Sequence, residues 1–169
     1  VMATPDNRPR LSNDVRQRMG VYKDIDSVPT KYRLQNHEPA YADRDVWADY
    51  FEEKTAVFNT KSTRDRYEKA GRYLQNFMRE AGRHHALAAP EHIERYLTGL
   101  RDGDIGRRNQ PRKLQTVYFE YFQPLEGFYT WLQWHTDHPH VYHPVLMAVV
   151  AGGFARKVWD RKLEQNDKR

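Results

Sequence analysis

The sequence predicts an all-α protein of four or five helices, and three observations predict it. Apolar residues recur at three- and four-residue steps through several long segments. No alternating apolar and polar run exceeds a few residues, so no strand is expected, and no internal repeat period is present. Helix starts and stops are marked by Asp, Ser or Pro before the periodic segments and by Gly after them.

Residues 1–40 have no sustained apolar period, and Pro5, Pro9, Pro29 and Pro39 interrupt them. The scattered Met19, Val21, Tyr22, Ile25 and Leu34 are able to dock but not to build a core, so a flexible or extended arm is expected. Its seven basic and five acidic residues suit either an arm on nucleic acid or an unstructured leader. The helical domain is placed at 41–145. Asp43 or Asp45 caps a first helix whose apolar positions are Val46, Trp47, Tyr50, Phe51 and Val57. Ser62, with Asp65 three residues on, makes a capping-box-like start for a second helix. Tyr67, Ala70, Leu74, Phe77, Met78 and Ala81 form its buried stripe, and Gly82 stops it.

Pro90 opens a third, shorter helix through Ile93, Tyr96, Leu97 and Leu100, followed by a basic loop containing Gly106, Arg107, Arg108, Asn109 and Gln110. The longest periodic stretch, 112–135, carries Leu114, Val117, Tyr121, Leu125, Phe128 and Leu132. Pro124 lies inside it and must kink or split the helix, because it removes a backbone donor. Tyr118, Phe119, Phe122, Tyr129, Trp131 and Trp134 are more rings than one stripe can hide, which predicts burial on two sides. A last helix runs from Pro144 to Leu163, weakened at Gly152 and Gly153, so that 146–169 read as a C-terminal helix and polar tail that complete the core.

Composition narrows the function classes. With no cysteine, disulfide frameworks, cysteine zinc sites and thiol nucleophiles are excluded, and a cytoplasmic home is expected. No window approaches 18 consecutive apolar residues, so neither a membrane span nor a secretory signal is expected. The mean hydropathy is −0.99, but 13% aromatic residues give the chain bulky groups to bury. A net charge of +5 favours polyanions only in a general way; its distribution is more informative. Residues 62–82 hold five basic and three acidic groups and 101–113 five and two, whereas 43–58 hold two and five.

The ordered set Ser62-Thr63-Arg64-Asp65-Arg66-Tyr67, Leu74 and Phe77, then Thr116, Leu125, Phe128-Tyr129-Thr130-Trp131-Leu132 and His143-Pro144-Val145, resembles the SAM-like N-terminal core-binding domain of tyrosine recombinases, the phage-integrase superfamily. The resemblance spans 43–145, with two departures: His143 replaces the usual Asn before Pro144, and the long helix carries Pro124. It implies two crossed helical hairpins that clamp duplex DNA, in site-specific recombination or integration, together with other recombinase subunits. The implied DNA contacts are Thr63, Arg64, Arg66, Lys69 and Arg72 on the second helix, and Arg107, Arg108, Arg112, Lys113, Gln115 and Thr116 around the start of the fourth. Helix N-termini and arginines suit phosphates, and such contacts position a duplex without reading it. These residues lie off the apolar stripes, so alanine at Arg64, Arg66, Arg112 or Lys113 is expected to spare the fold. The same charges also suit a solvated face with intrahelical pairs Asp65–Lys69 and Glu68–Arg72.

In that superfamily the nucleophilic Tyr and its Arg, Lys and His partners lie in a domain after the Pro-containing turn. Only 25 residues follow Pro144 here, so the chain is expected to bind without cleaving, as part of a longer recombinase or as a stand-alone relative. His92-x-x-Arg95 echoes a catalytic motif of the family by chance alone, since its companions are missing. No cofactor, membrane or small-molecule substrate is expected. Two alternatives stand beside DNA binding: a helical protein-interaction module, and a metal site in the turn with His135, Asp137, His138, His140 and His143, where capping of helix ends is the competing account. His84 and His85 are a weaker metal candidate of the same kind.

Overall fold

The computed structural model describes residues 12–57, 60–106, 110–135 and 137–167, and among these every regular element is helical. Six helices organise the fold: α1 Val46–Thr55, α2 Lys61–Glu80, α3 Pro90–Asp102, α4 over 114–134, α5 Pro144–Ala151 and α6 Phe154–Asp167. Helix α1 packs on α2, both lean on α4, and α5 lies against α3, α4 and α6.

Local chemistry sets the boundaries. Asp45 caps α1 by accepting from the Ala48 amide at 3.0 Å. Val57 lies beyond the end of that helix and is 71% exposed, not part of its stripe as expected. Helix α2 begins earlier than the Ser62 signal: Thr60 is the cap, accepting from Thr63 N at 3.3 Å, while Asp65 pairs with Lys61. A hydroxyl cap contributes about 1 kcal/mol to the helix start. Trp47 lies flush against Gly71 of α2, where a Cβ would overlap the indole, and its Nε1 donates to Tyr67 O at 3.1 Å.

Helix α4 is continuous in spite of Pro124. Its turns are α-helical over Leu114–Thr116, widen to π-helical over Val117–Phe122, and return to α-helical over Gln123–Trp134. The Gln123 amide reaches back five residues to Tyr118 O, so Pro124 enters at a turn already out of the regular register. The wide turn thus absorbs a residue whose interior placement costs about 3 kcal/mol in an ordinary helix. The expected single last helix is instead two, divided where Gly152 takes a left-handed conformation (φ 89°). Glu94 of α3 caps the second piece, accepting from Phe154 N at 2.5 Å and Ala155 N at 2.9 Å. Phe154, Val158 and Trp159 then complete the core.

Of the expected arm, residues 1–11 lie outside the described residues. From Ser12 onward it folds in single helical turns, and Val15, Met19, Val28 and Leu34 are buried. These four apolar groups reach the core without a periodic pattern, because the segment is built of linked turns, whereas Val21 is 83% exposed. Its anchor is polar: Arg18 Nη2 lies 2.7 Å from Glu126 Oε1, in the middle of α4. Lys162 of α6 meets the same carboxylate at 3.0 Å, and both cations lie over the Trp159 ring. Burial holds the Lys162 ammonium below the usual lysine range, against the opposing pull of Glu126.

Removing the shared acceptor leaves two cations facing each other in a largely dry site. Glu126→Gln is therefore expected to lower unfolding free energy by about 3–5 kcal/mol in urea denaturation. A change below about 1 kcal/mol, at the level of an exposed pair, would refute this account.

Candidate nucleic-acid interface

The N-terminal half of α2 and the wide turn of α4 lie side by side, and their contact is made of cations and rings. Arg66 Nη1 donates to Phe119 O and to Gln123 Oε1, both at 2.8 Å, and its guanidinium lies 4.0 Å from the Phe119 ring centre. Lys69 pairs with Glu120 at 3.3 Å and reaches over Tyr121. Tyr73 stacks on Tyr121 with ring centres 5.8 Å apart and planes 12° from parallel. Arg112 lies against both of these rings.

The sequence-derived residues divide among several situations. Arg66, Lys69 and Arg112 meet along this seam, but each is engaged in holding it. Arg112 Nη1 donates to Leu100 O in the last turn of α3 at 3.1 Å and to Ile105 O in the following loop at 2.7 Å, tying that loop to the helix end. Lys69 is bonded across to α4, not to Asp65 within its own helix. Gln115 accepts from Arg161 Nε at 2.8 Å, which ties α4 to α6. Thr63 accepts from the Thr60 hydroxyl at 2.8 Å, and Thr116 is half-buried. Arg72 and Lys113 are exposed, with Arg72 beside the Tyr73 ring.

Arg64 is also exposed but belongs to another flank. It precedes Gly71 by two turns and so shares the row that faces Trp47 of α1, about 200° around the helix from Arg66. Arg107 and Arg108 lie outside the described residues. The ring surplus of the long helix is the sign in the sequence for Phe119 and Tyr121, whereas nothing in the sequence marks Tyr73 of α2.

The histidines have structural partners. His143 caps α5, its Nδ1 accepting from Leu146 N at 3.3 Å while Nε2 meets Thr130 Oγ1 at 3.0 Å. An acceptor two bonds from Cβ is also what an Asn would present, which is why a histidine can serve as this cap. His140 Nε2 donates to Ala86 O at 2.6 Å, His85 Nε2 accepts from Trp47 N at 3.2 Å, and His84 Nε2 donates to Arg44 O at 2.8 Å. His138 Nδ1 bonds the Tyr41 hydroxyl at 2.5 Å, and His92 Nδ1 accepts from Ala89 N at 3.0 Å in the first turn of α3. Among the described residues no group of three or more His, Asp or Glu is arranged to hold a metal ion.

At the other end of α4, Asp49, Glu52, Glu53 and Asp137, with Arg44 as the one arginine, line a groove of about 520 Å³ beside Trp131 and His135. Trp131 Nε1 donates to Glu53 there at 2.7 Å. No helix among the described residues is long and apolar enough to cross a membrane. Comparison with protein-family models, with curated proteins and with solved structures finds no match to this chain.

Two predictions follow from these partners. Arg66→Ala and Arg112→Ala are each expected to cost about 1–3 kcal/mol of stability, whereas Arg72→Ala should stay within about 0.5 kcal/mol. Urea denaturation separates them, and equal effects would contradict the assigned bonds. Burial also pushes His85, His140 and His143 down to about 3 from the ordinary 6.5. The unfolded chain protonates these rings below about pH 6.5 while the folded chain resists until about 3, so stability is full above that window and falls as pH drops through it. The slope is up to about 1.4 kcal/mol per pH unit for each ring. Thermal unfolding followed from pH 7.5 to 4.5 checks it, with a flat profile contradicting it.

Proposed function

We propose that this chain is a DNA-binding domain similar to the core-binding domain of tyrosine recombinases, gripping duplex DNA mainly through phosphates at the seam between α2 and α4. The observation that supports it is the placement of Lys69, Arg72 and Arg112 around the paired rings of Tyr73 and Tyr121, with Arg66 on Phe119 beside them and Lys113 at the start of α4. Lys113 occupies the cap position of that helix without a side-chain acceptor, which leaves its first-turn amides free of a side-chain cap. Backbone donors of this kind, with cations beside them, suit phosphate oxygens.

The work divides among the residues. Arg72 and Lys113 meet the phosphates directly; Arg66, Lys69 and Arg112 contribute field and rigidity, because their own hydrogen bonds keep α2, α4 and the end of α3 in register. The chain binds and does not itself cleave, and further recombinase subunits are its natural company on DNA.

Fluorescence anisotropy with a labelled duplex across a salt series tests the reading. Affinity should fall steeply with salt, and Arg72→Ala and Lys113→Ala should each reduce the logarithmic salt slope by about 1 while leaving thermal unfolding unchanged. Binding that ignores salt, or slopes that ignore both substitutions, would overturn it.

A further inference from the structure

We infer that the seam takes nucleic acid containing an unpaired base, with the face of Phe119 away from Arg66 receiving that base. This rests on the nucleic-acid reading above and names the form of the polymer.

Phe119 is 45% exposed, and it is the exposed phenylalanine among the described residues. The Arg66 guanidinium covers one face of the ring, and that guanidinium is itself held by the Phe119 carbonyl and by Gln123. Ring and cation therefore stand as a preset pair, with little rotamer freedom left to lose when a ligand arrives. The neighbouring Glu120 carboxylate, which repels phosphates, is countered by Lys69 at 3.3 Å. Tyr121, which is buried, and the half-buried Tyr73 stack on each other within the seam as its support, with Arg112 against both rings.

Rings interleaved with cations are the chemistry of single-stranded nucleic-acid binding, where bases stack on aromatic faces and the backbone follows the charge. A matched duplex stacks its bases on one another and offers no free face to such a ring, whereas a bulge, a strand end or a single strand does. The wide turn of α4 contributes by setting Phe119 outward, on the side of α2, in an element whose other rings turn largely inward.

Three labelled probes of one sequence test this: a matched duplex, the same duplex with a bulge, and the single strand. At equal salt, the wild-type chain should bind the bulged and single-stranded probes more tightly than the matched one. Phe119→Leu keeps an apolar body under Arg66 but removes the π face, and should cut that preference by about fivefold or more. Phe119→Trp should retain the preference, with its added indole emission quenched by the single strand; circular dichroism melting checks that both variants fold. Equal wild-type affinity for matched and bulged probes, or an unaltered preference in Phe119→Leu, would overturn the inference while leaving salt-dependent duplex binding intact. Absence of salt-dependent binding to all three probes would overturn the parent reading together with it.

Discussion

One carboxylate holds the architecture together. Glu126 points inward from the middle of α4 and is 5% exposed, where a residue of its type is normally found in water. Two cations reach it from opposite ends of the chain, Arg18 from the N-terminal turns and Lys162 from α6, and both also lie on the face of Trp159. Desolvating three charges costs several kcal/mol for each ion, and the short ion pairs and the indole face offset that cost only while all three remain in place. The constraint is therefore geometric as much as energetic. It gives α4 a definite rotation, and that rotation decides which of its faces is left for α2.

The wide turn completes this division. In a regular helix, residues seven apart share a face, so Phe119 would follow Glu126 into the interior. One extra residue in the turn over Val117–Phe122 rotates the preceding segment by about 100°, and Phe119 and Glu120 meet α2 instead. Pro124 is thus more than an interruption. The register change that accommodates its missing amide also separates the charged interior of α4 from its aromatic exterior, and it brings Arg66 and Lys69 within reach of their acceptors.

The all-helical class, the positions of α1 to α3 and the core stripe of α2 were legible because they depend on periodicity and caps, which are local. Gly103 and Gly82 stand at helix ends in left-handed conformations, as stop signals should. Less legible was everything that depends on partners distant in sequence. The N-terminal turns lack a period because they dock residue by residue, and their anchor at Glu126 lies more than a hundred positions away. Arg66 and Arg112 read as surface groups because they fall off the apolar stripe, yet their bonds reach carbonyls on neighbouring helices. A cation on a polar face looks the same in sequence whether it faces water or the end of another helix. His143 shows the same limit: its Nδ1 caps the first turn of α5, while its Nε2 bonds Thr130 on α4, a partner the local sequence does not reveal.

These placements also change the meaning of the net charge. Much of the surplus is internal or engaged: Arg18 and Lys162 on Glu126, Arg112 on carbonyls, Lys69 on Glu120. What remains is sorted along α4. Its N-terminal end carries the cationic aromatic seam, and the groove around Trp131 near its C-terminal end is lined by Asp49, Glu52, Glu53 and Asp137. Phe119 and Trp131 are twelve residues apart, which places the two regions about 18 Å from each other along the axis. That exceeds the screening length of about 8–10 Å at ordinary ionic strength, so a polyanion close to one end scarcely senses the other. Farther out, or at low salt, the paired ends act as a dipole and turn the molecule before contact. The acidic groove therefore need not weaken an anion near the seam, and it disfavours the reversed orientation, in which the same anion would meet four carboxylates against the single arginine, Arg44.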